Sequence, residues 1–120
     1  IFGAGIIYVE WVGGKAVPQY FVMVGGGTTP DGVNFARLAA KVPARRMPDV
    51  VQRLLAPYPR DRRDGESAPA FFARVDVAAV SFELRDLQQM TEADAVPLDF
   101  VDLAETTAFA PEIMEGECSA

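Results

Sequence analysis

Three consecutive glycines, Gly25, Gly26 and Gly27, followed by Thr28 and Thr29, stand between an apolar run and a segment with helical spacing. Glycine-rich backbone at such a junction can turn its N–H groups towards an anion, a carboxylate or a phosphate. No Gly-Lys-Ser/Thr follows, so this is not a Walker loop, and the dinucleotide fingerprint does not fit either. The same glycines also suit a tight strand exit that needs their dihedral freedom and close packing, and both readings stand at this point. Arg45, Arg46, Arg60, Arg62 and Arg63 form either a basic docking face for an acidic partner or solvated charges around a helix and a loop. Cys118 is the only cysteine and there is no histidine. No intrachain disulfide can form, no four-cysteine zinc or iron-sulfur site can close within the chain, and Ser-His-Asp, Cys-His and His-based zinc chemistry are excluded. Glu117 beside Cys118 opposes thiolate formation, so the thiol reads as a bystander.

The 120 residues, half of them apolar, are enough for one compact domain. No apolar run approaches the ~20 residues that span a bilayer, and the opening residues lack the features of a signal peptide. The expected location is therefore the cytoplasm. The chain opens at Ile1 rather than at a methionine, which reads as a fragment or a processed chain. Its charge is uneven. Residues 1–74 carry ten bases against six acids, whereas residues 75–120 carry eleven acids and one base, Arg85. Residues 91–120 hold eight acids and no base, which repels nucleic acid and anionic membrane and favours a basic surface of the same molecule or of a partner.

The elements that must position these residues follow from periodicity. Ile6 to Val12 and Tyr20 to Val24 are β-branched and aromatic runs around Gly13-Gly14-Lys15, which predicts a hairpin with Pro18 at the entry of its second strand. Their nearly continuous apolar character suggests burial on both faces, with Trp11 in the core, and a two-stranded ribbon needs a larger sheet to be stable. Val33, Phe35, Ala36, Leu38, Ala39 and Ala40 have helical spacing up to Pro43. A second helix starts at Pro48, carries Val50, Val51, Leu54, Leu55 and Tyr58 on one stripe, and stops at Pro57 and Pro59. Ser67 is a good N-cap for a short helix with Phe71 and Phe72, and Val77, Val80, Leu84 and Leu87 space out a last one. Val50, Leu54, Leu55, Phe71 and Phe72 are expected to share one core with the strands. Residues 91–120 mix their acids with Leu98, Phe100, Val101, Leu103, Phe109, Ile113 and Met114, which predicts an extended arm strapped over the basic body and helped there by charge. The predicted fold is α+β: a hairpin within a larger sheet, three to four helices, and an acidic C-terminal arm, with the boundary between 1–90 and 91–120.

The order of these features resembles the C-terminal segment of the siroheme-containing nitrite and sulfite reductases. The residues that carry the resemblance are Tyr20-Phe21-Val22-Met23-Val24-Gly25-Gly26, Val42-Pro43-Ala44, and Pro48-Asp49-Val50-Val51-Gln52-Arg53-Leu54-Leu55 with Tyr58. They continue with Arg62-Arg63-Asp64-Gly65-Glu66-Ser67 and Phe71-Phe72-Ala73-Arg74-Val75. The likeness runs from Gly5 to Leu84. Pro57 and Pro59 depart from it, because the family's helix usually continues for another turn, and the acidic tail lies outside it. The resemblance implies a six-electron oxidoreductase, reducing nitrite to ammonia or sulfite to sulfide with a siroheme bridged to a 4Fe-4S cluster. It also implies ferredoxin or a flavoprotein as electron donor and the remainder of the reductase polypeptide as partner. In that family the cluster cysteines and the substrate-binding basic residues lie upstream of the matched region, so this chain is expected to hold neither cofactor alone and to have no catalytic residues. Gly25, Gly26 and Gly27 are the candidate contact to a siroheme carboxylate. The alternative is a free-standing small α+β binding or assembly module without enzymatic activity.

Overall fold

The computed structural model describes residues 7–111, and the residues it describes form an α+β fold. β1 (Ile7–Val12) and β2 (Lys15–Val24) make the expected antiparallel hairpin, turning through Gly13 and Gly14 at φ +58° and +77°. Positive φ at both central residues is the type I′ geometry that matches strand twist, and glycine adopts it at little cost. β2 is the middle of a three-stranded sheet, β1-β2-β5, so the hairpin does belong to a larger sheet. Pro18 lies inside β2 rather than at its entry. Pairing with β5 begins only at Gln19, so the proline stands just before the second ladder starts.

The segment read as a helix over Val33 to Ala40 is instead extended. β3 (Gly27–Thr29) and β4 (Gly32–Asn34) form a small ribbon, and β5 (Arg37–Pro43) returns antiparallel to β2. A bulge explains the misleading pattern. Val22 pairs with Ala40 and Met23 with Leu38, which leaves Ala39 as an extra residue in β5. Ala39 and Ala40 are therefore both buried in succession, which in sequence mimics a helical face. The open edge of β2 offers β5 a ladder of hydrogen bonds, and that outweighs alanine's modest helix preference.

A 3-10 turn at Ala44–Arg46 leads into α1 (Met47–Leu55), with Pro48 in its first turn as expected. α1 ends just before Pro57 as expected, but helical backbone resumes at once, with Pro59 inside the next helix. Ala56 keeps helical dihedrals, and Pro57 sits in the first turn of α2 (Pro57–Asp61), where its missing N–H costs nothing. Ser67 caps α3 (Ala68–Arg74) by accepting from the Ala70 N–H. Asp76 caps the next helix in the same way, accepting from the Ala78 N–H. The expected last helix is two, α4 (Val77–Glu83) and α5 (Arg85–Gln88), parted at Leu84.

One core joins sheet and helices: Val22, Val24, Ala39, Ala40 and Val42 from the strands, Met47, Val50 and Leu54 from α1, and Leu84 and Leu87. Phe71 and Phe72 are buried but lie outside this cluster, in which they were expected; they stack edge to face with each other at 5.2 Å, with Tyr58 against both. Two more apolar residues assigned to the core are not there. Leu55 is 43% exposed, because Val50 and Leu54 set the inward line of α1 and the next residue lies ~100° around the helix. Trp11 is 64% exposed, on the edge strand β1. Burial on both faces, expected for the runs 6–12 and 20–24, is found in neither: Trp11 is exposed, and along 20–24 only Val22 and Val24 are buried, whereas continuous burial falls at residues 16–19. Among the described residues no helix is long and apolar enough to cross a membrane.

Candidate functional site

The glycine loop leaves β2 and enters β3, so the strand-to-helix junction that would aim a helix N-terminus at an anion is not its context. Gly25 has φ +82°, and a Cβ there would stand 2.8 Å from the Phe72 carbonyl oxygen and 3.2 Å from Arg37 Nη2. Only glycine fits such a backbone approach. Arg37, at the start of β5, reaches across this gap and donates to the Phe72 carbonyl at 2.9 Å and the Val75 carbonyl at 3.0 Å. These are acceptors at the C-terminal end of α3, where a cation is favoured. Gly26 is closed in by Ala36, whose Cβ would lie 2.8 Å from an added methyl, while Gly27 opens β3 with nothing within 4 Å of its Cβ position. Gly25 and Gly26 thus hold α3 and the β4–β5 link close to the end of β2.

The five arginines separate into two groups. Arg45 and Arg46 face inward along the chain's later half. Arg45 Nε donates to the Val101 carbonyl at 2.9 Å, and its Nη2 donates to the carbonyls of Asp102 at 2.8 Å and Glu105 at 3.1 Å. Arg46 Nη1 donates to the carbonyls of Leu87 and Gln89 at 3.1 Å and 2.6 Å. Arg60, Arg62 and Arg63 are exposed around the end of α2, where Arg60 is paired with the adjacent Asp61 and Arg62 lies over the Tyr58 ring. Arg45 and Arg46 are thus taken up by main-chain carbonyls, whereas Arg60, Arg62 and Arg63 stand in solvent.

The motif Gly65-Glu66-Ser67 is built into the same body. Arg74 grips both oxygens of the Glu66 carboxylate at 2.7 and 2.8 Å and lies over the Phe71 ring, while Tyr58 donates to the Glu66 carbonyl at 3.0 Å. Hydrogen bonding from Arg74 holds the Glu66 carboxyl down at about 2. Arg53 does the same for Asp86, also at about 2, through a two-pronged contact that ties α1 to α5. A groove of ≈ 580 Å³ runs beside these pairs, floored by Leu54, Phe72 and Leu84 and rimmed by Arg53 and Arg74, whose guanidiniums are already engaged.

A second groove, of ≈ 510 Å³, lies at the hairpin end. Trp11, Lys15 and Ala16 form one wall, and Phe100, Phe109 and Pro111 from the acidic segment form the other. The Lys15 ammonium sits 5.3 Å from the centre of the Phe100 ring. Tyr20 donates to Asp102 Oδ1 at 3.0 Å, and burial together with this bond raises its pKa. On the sheet, fully buried Gln19 donates to the Glu10 carboxylate, with Lys41 Nζ 3.6 Å from the same oxygen. Among the described residues Gln19 Oε1 has no hydrogen-bond donor.

Arg37 and Tyr20 are tertiary anchors that no motif in the sequence marks as such. Arg37 carried no local signal, being a single charge in a run taken for a helix. Among the described residues no cluster of three or more His, Cys, Asp or Glu is placed to hold a metal, and Cys118 lies outside the described residues. With no histidine and one cysteine, the chain cannot by itself supply the four ligands of a cysteine-ligated cluster. No family model, curated protein or solved structure matches this chain.

Proposed function

We propose that the chain is a scaffold segment of an assimilatory nitrite or sulfite reductase, carrying no catalytic residue of its own and assembling with the remainder of that polypeptide. Siroheme and the 4Fe-4S cluster would be held by the parent enzyme, and a ferredoxin or a flavoprotein would supply its electrons. The observation that supports this reading is that the motif residues contact one another. Gly25 lies against the end of α3, Tyr58 rests on Phe71 and Phe72, and Glu66 is locked to Arg74. A set of motifs spaced over more than fifty residues thus closes into one architectural unit. Residues kept for architecture suit a supporting segment, and they leave little free to bind a small substrate.

The test is to purify the native polypeptide that contains this sequence and record its mass, its visible spectrum and its reduction of nitrite and sulfite with an artificial one-electron donor. A longer chain with siroheme absorbance and six-electron activity is expected, together with no cofactor absorbance when residues 1–120 are reconstituted alone. A native mass of 13.0 kDa, or stoichiometric siroheme on the isolated chain, would overturn the proposal.

A further inference from the structure

Residues 97–111 meet the body through very few polar groups. Arg45 supplies three hydrogen bonds to main-chain carbonyls, Tyr20 supplies one to Asp102, and Lys15 covers the Phe100 ring. Among the described residues the segment's other hydrogen bonds are internal or to the adjoining Val96. Asp99 accepts from the Val96 N–H, Val101 N–H donates to Leu98, Glu105 N–H donates to Asp102, and Phe109 N–H donates to Phe100 at 2.6 Å. It is thus largely self-closed, with Arg45 its main polar attachment to the body and Tyr20 and Lys15 the lesser ones. Ala104 lies between two of the carbonyls that Arg45 holds, and it has φ +65°, the only positive φ of a non-glycine residue among those described. An L-residue enters this region at a cost of ~1 kcal/mol or more. The left-handed bend is part of the path on which the Asp102 and Glu105 carbonyls reach the same Nη2.

We infer that residues 97–111 are a sprung strap, latched shut by Arg45 and loaded by the strained backbone at Ala104, which relaxes when the Asp102 and Glu105 carbonyls leave Arg45. Closed, the strap supplies one wall of the aromatic groove beside Trp11 and Lys15 and covers part of β2. Open, it dismantles the groove and bares the face that carries Ala16 and Tyr20. Any partner that recognises that face must therefore compete with the strap. The closing force is a set of hydrogen bonds to carbonyls plus apolar contact, and the opening force is the dihedral strain. The two act through different residues and can be varied in opposite directions. The inference does not depend on which enzyme the chain belongs to.

The experiment is limited digestion of the 120-residue chain by a glutamate-specific protease, following cleavage after Glu105 in the strap and after Glu66 and Glu83 in the body by mass spectrometry. Arg45→Gln is expected to speed cleavage after Glu105 about tenfold with the body sites unchanged, the behaviour of a local opening. Arg45→Lys should fall between this variant and the parent. Ala104→Gly is expected to slow the same cleavage below the parent rate, because glycine relieves a strain that alanine must bear at positive φ. A parental rate for Arg45→Gln, or acceleration at Glu66 and Glu83 matching that at Glu105, overturns the latch. An Ala104→Gly rate equal to or above the parent's overturns the spring.

Discussion

The helices and the strap cover one face of the same strand and are held there by different physics. Side chains alternate along β2, so Ala16, Tyr20, Val22 and Val24 share a face. At the Val24 end that face is buried under α1, α4 and α5 in a continuous apolar core. At the Lys15 end it is covered by the strap, whose polar anchors are Arg45 and Tyr20 and whose surface leaves Leu98 and Leu103 partly in solvent. Apolar burial is non-directional and spread over many contacts, whereas a few directional hydrogen bonds from one guanidinium and one phenol can be removed by single substitutions. The difference teaches that a chain can fix one end of a sheet face and leave the other switchable without changing the strand beneath.

The largest effect expected from breaking this contrast is in the core. Leu54→Ala should cost about 2–5 kcal/mol, read as a lower denaturant midpoint, while Leu55→Ala one residue further on should fall within ~1 kcal/mol of the parent. Equal shifts would mean the inward line of α1 is misplaced. Next comes Arg37→Ala, which leaves the Phe72 and Val75 carbonyls without their donor and should cost about 1–3 kcal/mol in the same assay. A neutral result would show that α3 is held by its phenylalanines alone.

A smaller effect concerns acid. Glu66 and Asp86 titrate near 2 in the fold against ordinary values of 4.5 and 3.8, so the unfolded chain binds protons more readily over that interval. Their contribution is therefore complete above about pH 4.5 and is lost as the pH falls towards 2. The denaturant midpoint should drop across this window, and the drop should shrink in Glu66→Gln. At the other extreme the raised Tyr20 keeps its bond to Asp102 below its ordinary 10.0 and loses it only as the pH climbs through the higher folded value, so cleavage in the strap should quicken there. The smallest effect is that of salt. Arg45 meets carbonyls and not carboxylates, so strap cleavage should change little with ionic strength, whereas a strap held by net charge would loosen as salt screens it.

The sequence made the hairpin, the Ser67 cap, the start of α1 and the burial of Val50, Leu54, Phe71 and Phe72 legible, because each rests on local chemistry or simple periodicity. It misled at Ala39 and Ala40, where a bulge in β5 buries two neighbours in succession. It misled again at Trp11 and Leu55, since residue type alone does not say whether a strand is an edge or where a helix stripe ends. The acidic segment was expected to strap the body, and residues 97–105 do meet β2 and the 44–46 turn; Ile113 and Met114 lie outside the described residues. The candidate site was the least legible part. Gly25 stood out as glycine, but its reason, the Phe72 carbonyl and Arg37 close behind it, comes from residues 12 and 47 positions away.

That contact also offers the most direct test of the view that the motif residues are architecture. The measurement is the denaturant midpoint of Gly25→Ala, taken with and without excess phosphate. The Cβ would meet a backbone carbonyl at 2.8 Å from a φ of +82°, so the account predicts a clear loss of stability, insensitive to phosphate in both parent and variant. A Gly25→Ala chain as stable as the parent, with phosphate stabilising the parent and not the variant, would contradict it and return the glycine loop to the status of an anion site.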